Sequence, residues 1–300
     1  MKLIHLCGDT YMIPGPSNIG VIVSGGSCII VDSGIDDQAA KQILHCVAQA
    51  KFILKGIINT HSHADHCGGN KRLQEHKSLI TYSSRIEKAI IENPFLEPFY
   101  LFSAAPPEAL TTKHLMAQPS VVDRIIEPGR QVIEGITLEI LALPGHSPGQ
   151  IGVAVVESGV CFTADAFFGE KVLQKYSLPY FSDISSTLTT LKSMDAEGYR
   201  VYVPSHGEVV FSASSVIAKN IAVIGAMLAS ILAALQKCEL TREEVLAGLL
   251  ITSGHTLSMA QFVLNCSTVS ACLTHLHNES KVTYSLREGK LLWKATTATS

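Results

Sequence analysis

The eight cysteines of this 300-residue chain, at positions 7, 28, 46, 67, 161, 238, 266 and 272, include no C-x-x-C pair. Several lie inside apolar runs, as buried free thiols do. A disulfide framework is not expected in a chain of this length, and a reducing, cytoplasmic setting follows. Charged residues are also scarce, at 16 %, and the net charge is −3 with no basic tract. That balance removes any general attraction for nucleic acid or an anionic membrane surface. No G-x-S-x-G is present, so the serine nucleophile elbow is missing. The apolar run in residues 1–9 is too short for a signal peptide, and neither low-complexity sequence nor a short-period repeat occurs.

What the chain has is apolar residues, 47 % of the total, enough for one large domain or a domain with an appendage. It also has one unusual decapeptide, Thr60-His61-Ser62-His63-Ala64-Asp65-His66-Cys67-Gly68-Gly69. Imidazole and carboxylate are ordinary ligands of divalent transition metals. Residues 52–59 before it read as a mostly buried strand. On an extended segment alternate side chains share a side, so His61 and His63 can meet one metal. Asp65 and His66 fall at the next turn and can reach a second. Cys67 reads as packing.

Three later stretches end apolar runs with further donors. Leu143-Pro144-Gly145-His146-Ser147-Pro148-Gly149 holds His146 in a turn fixed by proline and glycine. Val160-Cys161-Phe162-Thr163-Ala164-Asp165 ends in a carboxylate whose two oxygens can bind two metals. Val201-Tyr202-Val203-Pro204-Ser205-His206 puts His206 at a fourth strand end.

This order of motifs, over residues 1–212, resembles the metallo-β-lactamase-fold hydrolases, in particular their glyoxalase II-like branch. The resemblance implies an α/β protein, a four-layer αββα sandwich. It also implies a metal held by His61, His63 and His146, and a second held by Asp65, His66 and His206, with Asp165 bridging. Asp32, in Val31-Asp32-Ser33-Gly34, would support the site from behind. The expected cofactors are two divalent ions, with zinc first and iron or manganese as alternatives. Asp65 and Asp165 are the candidates for orienting the nucleophile or moving its proton. Water on Zn²⁺ has its pKa lowered to about 7. β-Lactamases of this fold usually carry cysteine at the position of Asp165, which argues against antibiotic hydrolysis. The glycine- and arginine-rich segment of persulfide dioxygenases is replaced here by Ala166-Phe167-Phe168-Gly169-Glu170.

Elsewhere, strands are expected in 2–7 and 18–31 with a turn at Gly25-Gly26, and a helix capped by Asp36 or Asp37. Further helices are expected near 70–77 and 84–92, with His76 on the surface. Residues 93–120, rich in aromatics and proline, read as either a lid or a satellite core. Phe95, Phe99, Tyr100 and Phe102 are candidates for one wall of an apolar pocket. Tyr176 or Tyr180 can be placed as an oxyanion donor, and Lys171 or Lys175 as an anion contact.

Residues 213–237 form an expected connecting helix with a seam at Ile217, Ile221, Ile224, Leu228, Ile231 and Leu235. Its stretch free of strongly polar residues is too short for a typical membrane span. The helix therefore packs within the chain or against a second copy, making a homodimer possible. Residues 238–300 predict three short helices and a hairpin, which resembles a winged-helix domain. Five Lys/Arg balance five Glu in 239–300, and 267–280 contains no Lys or Arg, so a structural role is favoured over nucleic-acid binding.

The leading functional expectation is hydrolysis of a small-molecule ester, lactone or thioester. The rivals are an RNA phosphodiesterase of the same fold and a metal-containing binding protein with little turnover.

Overall fold

The computed structural model describes residues 2–75, 79–175, 178–250 and 257–296. Strands β1 (Ile4–Cys7), β2 (Thr10–Ile13), β3 (Ile19–Ser24) and β4 (Ser27–Val31) form an antiparallel meander. Helix α1 (Asp37–Gln49) crosses over to β5 (Ile53–Ile58), parallel to β4. The Asp36 carboxylate caps α1 by accepting from the amides of Gln38 and Ala39. Two one-turn helices, α2 (Ala64–Cys67) and α3 (Asn70–Leu73), precede β6 (Ile80–Ser83). Then come α4 (Arg85–Glu92), α5 (Leu96–Phe102), a 3-10 turn at Glu108–Leu110, and β7 (Arg124–Ile125). These strands make one seven-stranded sheet in sequential order.

The second sheet runs β12-β11-β10-β9-β8. Its members are β8 (Gly129–Ile133), β9 (Ile136–Ala142), β10 (Ile151–Val155), β11 (Val160–Ala164) and β12 (Val201–Pro204), with α6 (Glu170–Lys175) and α7 (Ile184–Glu197) between the last two. In β9, Ile136, Leu138 and Ile140 alternate inward, the period of a pleated strand. β11 and β12 are buried at every residue because both their faces are covered, which is why they read as unbroken apolar runs.

Between the sheets, Met12, Ile29, Val31 and Ile58 meet Leu138, Ile140, Val153, Phe162 and Val203. Outside the first sheet, Ile43 and Val47 of α1 pack with Ile30 and Ile57. Outside the second, Leu191 and Met194 of α7 share a cluster with Ala154, Cys161 and Tyr202. The layers are therefore helix, sheet, sheet, helix, the αββα sandwich.

Strands β9, β11 and β12 run the same way, because β10 is antiparallel to both β9 and β11 while β12 is parallel to β11. Their carboxyl ends lie together and lead into the His146, Asp165 and His206 segments. In the other sheet the parallel pair β4 and β5 leads into Asp32 and the His61 segment. The amide of Ile151 donates to the carbonyl of Thr60 at 2.9 Å, and that of Asn18 to Ser205 at 2.9 Å, joining the two edges.

Helix α8 (Ser214–Lys237) lies on the outer layer. Its buried seam is Ile217, Asn220, Ile224, Met227, Ile231 and Leu235, with Ile221 and Leu228 only half-buried. The expected seam is thus rotated: Asn220 and Met227 take the inward places of Ile221 and Leu228. By length and composition α8 is apolar enough to cross a membrane, but its seam belongs to the largest core cluster.

In the tail, α9 (Arg242–Leu250) is followed by α10 (Met259–Asn278), then a hairpin of β13 (Val282–Arg287) and β14 (Lys290–Ala295) turning at Glu288-Gly289. The second and third short helices expected there are one continuous helix, opened by a Ser258–Gln261 capping box. Its periodic residues Val269, Cys272, Leu273 and Leu276 are buried in the same cluster as Phe167 and Phe168.

Candidate metal centre

Each donor segment leaves its strand under tight steric control. Ala164 adopts φ 50°, a left-handed conformation unusual for a residue with a side chain, immediately before Asp165. Gly145, at φ +134°, stands where an added Cβ would lie 2.3 Å from Oγ1 of Thr187. Gly68 faces Ile35, whose carbonyl oxygen would be 2.1 Å from such a Cβ. These close approaches hold the His61–His66 and His146 turns against their neighbours.

The structure brings all seven expected donors together. Nδ1 of His63 lies 3.1 Å from Nε2 of His61 and 2.9 Å from Nε2 of His146, one three-histidine group. Oδ2 of Asp65 lies 3.1 Å from Nε2 of His206 and 3.5 Å from Nε2 of His66, a second group. Oδ2 of Asp165 sits between them, 3.2 Å from His146, 3.4 Å from His206 and 3.7 Å from His66.

The far sides of the His66, His206 and His146 rings are held by the protein. Asp32, itself at φ 67°, accepts from Nδ1 of His66 at 2.8 Å and from the backbone and hydroxyl of Thr60. Nδ1 of His206 donates to the Pro16 carbonyl at 2.8 Å, and Nδ1 of His146 to the Tyr180 carbonyl at 3.1 Å. Such hydrogen bonds fix which nitrogen keeps its lone pair for the centre.

Charge divides the two groups. Burial pushes His61 well below its ordinary value, reinforced by the other imidazoles, and burial with His146 takes His63 down to about 3. Burial also lowers His146. In the second group burial opposes protonation, yet Asp65, Asp32 and Asp165 raise His66 well above its usual range. Burial likewise opposes a charge on His206, but Asp165 and Asp65 raise it to about 9. For Asp165, burial is outweighed by His206, His66 and His146, which hold its carboxyl below the usual range.

The donors fit a divalent cation. Three overlapping groups, His61–His63–His146, His61–His66–Asp165 and Asp65–His66–His206, each place one ligand atom per residue within 4.8 Å of the others. Among the described residues, Nε2 of His66 and Oδ1 of Asp165 are buried without a hydrogen-bond partner, an expensive state unless another group uses them. Nitrogen and oxygen donors without thiolate suit zinc, iron or manganese.

Residues 12–206 match the family model of the metallo-beta-lactamase superfamily. The chain belongs to that superfamily. It is 28 % identical over 141 residues to the hydroxyacylglutathione hydrolase GloC of Haemophilus influenzae, covering 46 % of this chain and 60 % of that protein. It is 26 % identical over 207 residues to an atrochrysone carboxyl ACP thioesterase of Aspergillus novofumigatus, covering 69 % of this chain and 53 % of the relative. The chain thus spans less than two-thirds of these relatives. The fold of a metallo-beta-lactamase family protein from Thermus thermophilus superposes with TM-score 0.76 at 21 % identity, covering 96 % of this chain and 99 % of the other.

This metallo-beta-lactamase centre has supports that the sequence reading missed. Glu87, wholly buried on α4, accepts from the Ser62 amide at 2.9 Å, the Ser147 hydroxyl at 2.5 Å and the Gly149 amide at 2.8 Å. One carboxylate therefore ties the His61–His66 segment to the His146 turn. Glu87 shares the buried face of α4 with Ile91, while Ile86 is exposed. The Ser17 hydroxyl donates to Oδ2 of Asp65 at 2.8 Å.

Of the two readings of the aromatic segment, the structure shows a satellite core. Phe95, Phe99, Tyr100 and Phe102 remain 37–48 % exposed. The buried residues of α5 are Glu97, Pro98 and Leu101, and Leu101 packs with Leu110, Leu115 and Val263 in a satellite core. Tyr180 lies beside the centre, its ring 5.5 Å from that of His63 and 5.3 Å from that of His146. Lys171 pairs instead with Glu208 on the surface, and Lys175 is exposed. His76 and Tyr176 lie outside the described residues.

Proposed function

We propose that this protein is a hydrolase of small acyl esters, lactones or thioesters, working with two divalent cations, zinc foremost. The observation that carries the reading is Oδ2 of Asp165, within 3.7 Å of donors from both groups. Seven donors exceed what one tetrahedral ion uses. Thioesters come first in the substrate class because the relatives named above include a hydroxyacylglutathione hydrolase and an ACP thioesterase.

Cations bound there would supply a nucleophile from water of lowered proton affinity, and positive charge opposite the developing oxyanion. The chain's own residues divide the remaining work. Asp165, with 4 % side-chain exposure, positions and neutralises. Asp65, at 31 %, can exchange a proton with solvent at its carboxylate, and the Ser17 hydroxyl fixes its orientation. Tyr180 and the imidazoles of His63 and His146 shape the approach to the centre.

Metal-loaded protein should hydrolyse an ester, lactone or thioester panel, with Asp65→Ala inactive as the contamination control. Single-stranded RNA run in parallel should stay intact. RNA cleavage lost in the variant, with no acyl substrate turned over, replaces this reading with a nuclease. No turnover on either panel by protein carrying both metals favours a binding role.

A further inference from the structure

The C-terminal helices reach the metal centre through two buried polar side chains. Thr268 of α10 is 1 % exposed, and its Oγ1 accepts from the Phe181 amide at 3.2 Å and donates to the Pro179 carbonyl at 3.3 Å. It thereby brackets Tyr180, whose carbonyl accepts from Nδ1 of His146. The other end of this strap is pinned to the His146 turn: the amides of Ser182 and Asp183 both donate to the Gly145 carbonyl at 2.9 Å.

Asn220 of α8 does the equivalent on the Asp165 side. It is 1 % exposed, its Oδ1 accepts from the Phe168 amide at 3.0 Å, and its Nδ2 donates to the Phe168 carbonyl at 2.9 Å. Phe168 lies three positions after Asp165, and its ring stands edge-on to His146 at 5.8 Å. Phe168 and Phe181 also meet, at 6.0 Å. Both bracketed segments therefore touch His146, one through the Tyr180 carbonyl and one through the Phe168 ring.

A buried polar side chain in an otherwise apolar helix seam costs folding energy unless its hydrogen bonds are all made. Here both side chains bond the backbone of segments touching a metal donor, and Nδ2 of Asn220 also donates to the Val216 carbonyl of its own helix at 2.8 Å. We propose that Thr268 and Asn220 are positioning residues of the metal centre, and that α8 and α10 serve as its outer brace. Thr268 sets the Tyr180 carbonyl, which keeps the His146 proton on Nδ1 and its Nε2 lone pair toward His61 and His63. Asn220 holds the chain after Asp165 so that the Phe168 ring backs the same imidazole. The brace acts on metal binding and not on the substrate, so it and the hydrolase reading fail separately.

The test is a Co²⁺ titration of metal-free full-length protein, resolving the two sites by absorption and by competition with a chelator. Thr268→Val keeps the shape and removes the hydroxyl. Affinity at the His61–His63–His146 group should fall about 10- to 100-fold, as for lost outer partners of metal ligands, while the Asp65–His66–His206 group stays within about twofold. Thr268→Ser should restore the first site. Equal weakening of both sites, or no change at either, overturns the proposal. A second measurement needs no variant: ¹⁵N spectra of the metal-free wild type should show His146 protonated at Nδ1 with slow exchange of that proton. A proton on Nε2 instead overturns the proposal, whether or not Thr268→Val folds.

Discussion

Oε1 of Glu97 lies 4.0 Å from Nε2 of His63, on the edge of the ring opposite the nitrogen that faces His61 and His146. Glu97 is 4 % exposed. Burial, then the Asp65 and Glu87 carboxylates, push its pKa well above the ordinary range. A buried polar group in that state costs stability and is retained where it serves a site. Glu97→Met should therefore stabilise the metal-free protein by about 1 kcal/mol in urea unfolding. Since a raised carboxyl loses its folded-state advantage as pH rises, the gain should grow above the usual carboxylate range. Co²⁺ affinity at the three-histidine group should fall about tenfold or more. Lower stability with unchanged affinity would remove Glu97 from any role toward His63.

Glu87 predicts the opposite balance. Its two oxygens accept three hydrogen bonds from two loops that carry five candidate metal donors between them, His61, His63, Asp65, His66 and His146. Glu87→Ala strands the Ser62 and Gly149 amides and the Ser147 hydroxyl, and should cost about 3 kcal/mol or more. Glu87→Gln keeps one acceptor oxygen and should cost about 1–2 kcal/mol. Denaturant midpoints of metal-free protein measure both. Variants equal to wild type would mean that the loops hold themselves.

The contrast between these two glutamates shows what the sequence could and could not yield. Donors at strand ends were legible because β5, β9, β11 and β12 are apolar runs and each is followed within a few residues by His or Asp. The layers followed from the same runs together with the helix of Ala40, Ile43 and Val47. Glu87, Glu97, Asn220 and Thr268 were illegible as support because their partners are distant backbone groups or rings, which no local period records. Asn220 lies outside the expected seam and is instead buried in the observed one. The aromatics of 93–102 read as one wall of an apolar pocket; helical geometry turns Glu97 and Leu101 inward and leaves the phenylalanines half open. In the tail, helices and a hairpin were visible, whereas the fusion of two expected helices into α10 accompanies packing in the cluster that holds Phe167 and Phe168.

Asp165→Asn should separate metal content from folding. One carboxylate oxygen of Asp165 approaches imidazoles of both groups, and the amide keeps its size while losing its charge. Metal content measured by elemental analysis should drop from two ions toward one, with activity falling in parallel. Far-UV circular dichroism should be unchanged. Full activity with two ions retained would end the bridging role.

The last prediction concerns pH and exploits the difference between the two histidine groups. His206 has its pKa raised to about 9 from 6.5, against the opposition of burial, by Asp165 and Asp65. The folded metal-free protein thus holds a proton that the unfolded chain releases at lower pH. The resulting stability is fully present below about 6.5 and is lost as pH rises through about 9. His66 acts in the same sense. The lowered imidazoles His61, His63 and His146 act only below their ordinary value, and the lowered carboxylates Asp65 and Asp165 act lower still. Between pH 6.5 and 9 this second group dominates among the imidazoles, and the raised Glu97 carboxyl acts in the same direction. Thermal stability of metal-free protein should decline across that window, and His206→Gln should flatten the decline without abolishing it. A cation must displace the same protons, so affinity at the Asp65–His66–His206 group should rise across the window, by up to about tenfold per pH unit for each proton displaced. Affinity at the three-histidine group should stay nearly flat, since its imidazoles are already neutral. Parallel pH slopes at the two sites would show that the groups do not differ in protonation, and a stability that rises from pH 6.5 to 9 would show that His206 is not held charged by Asp165 and Asp65.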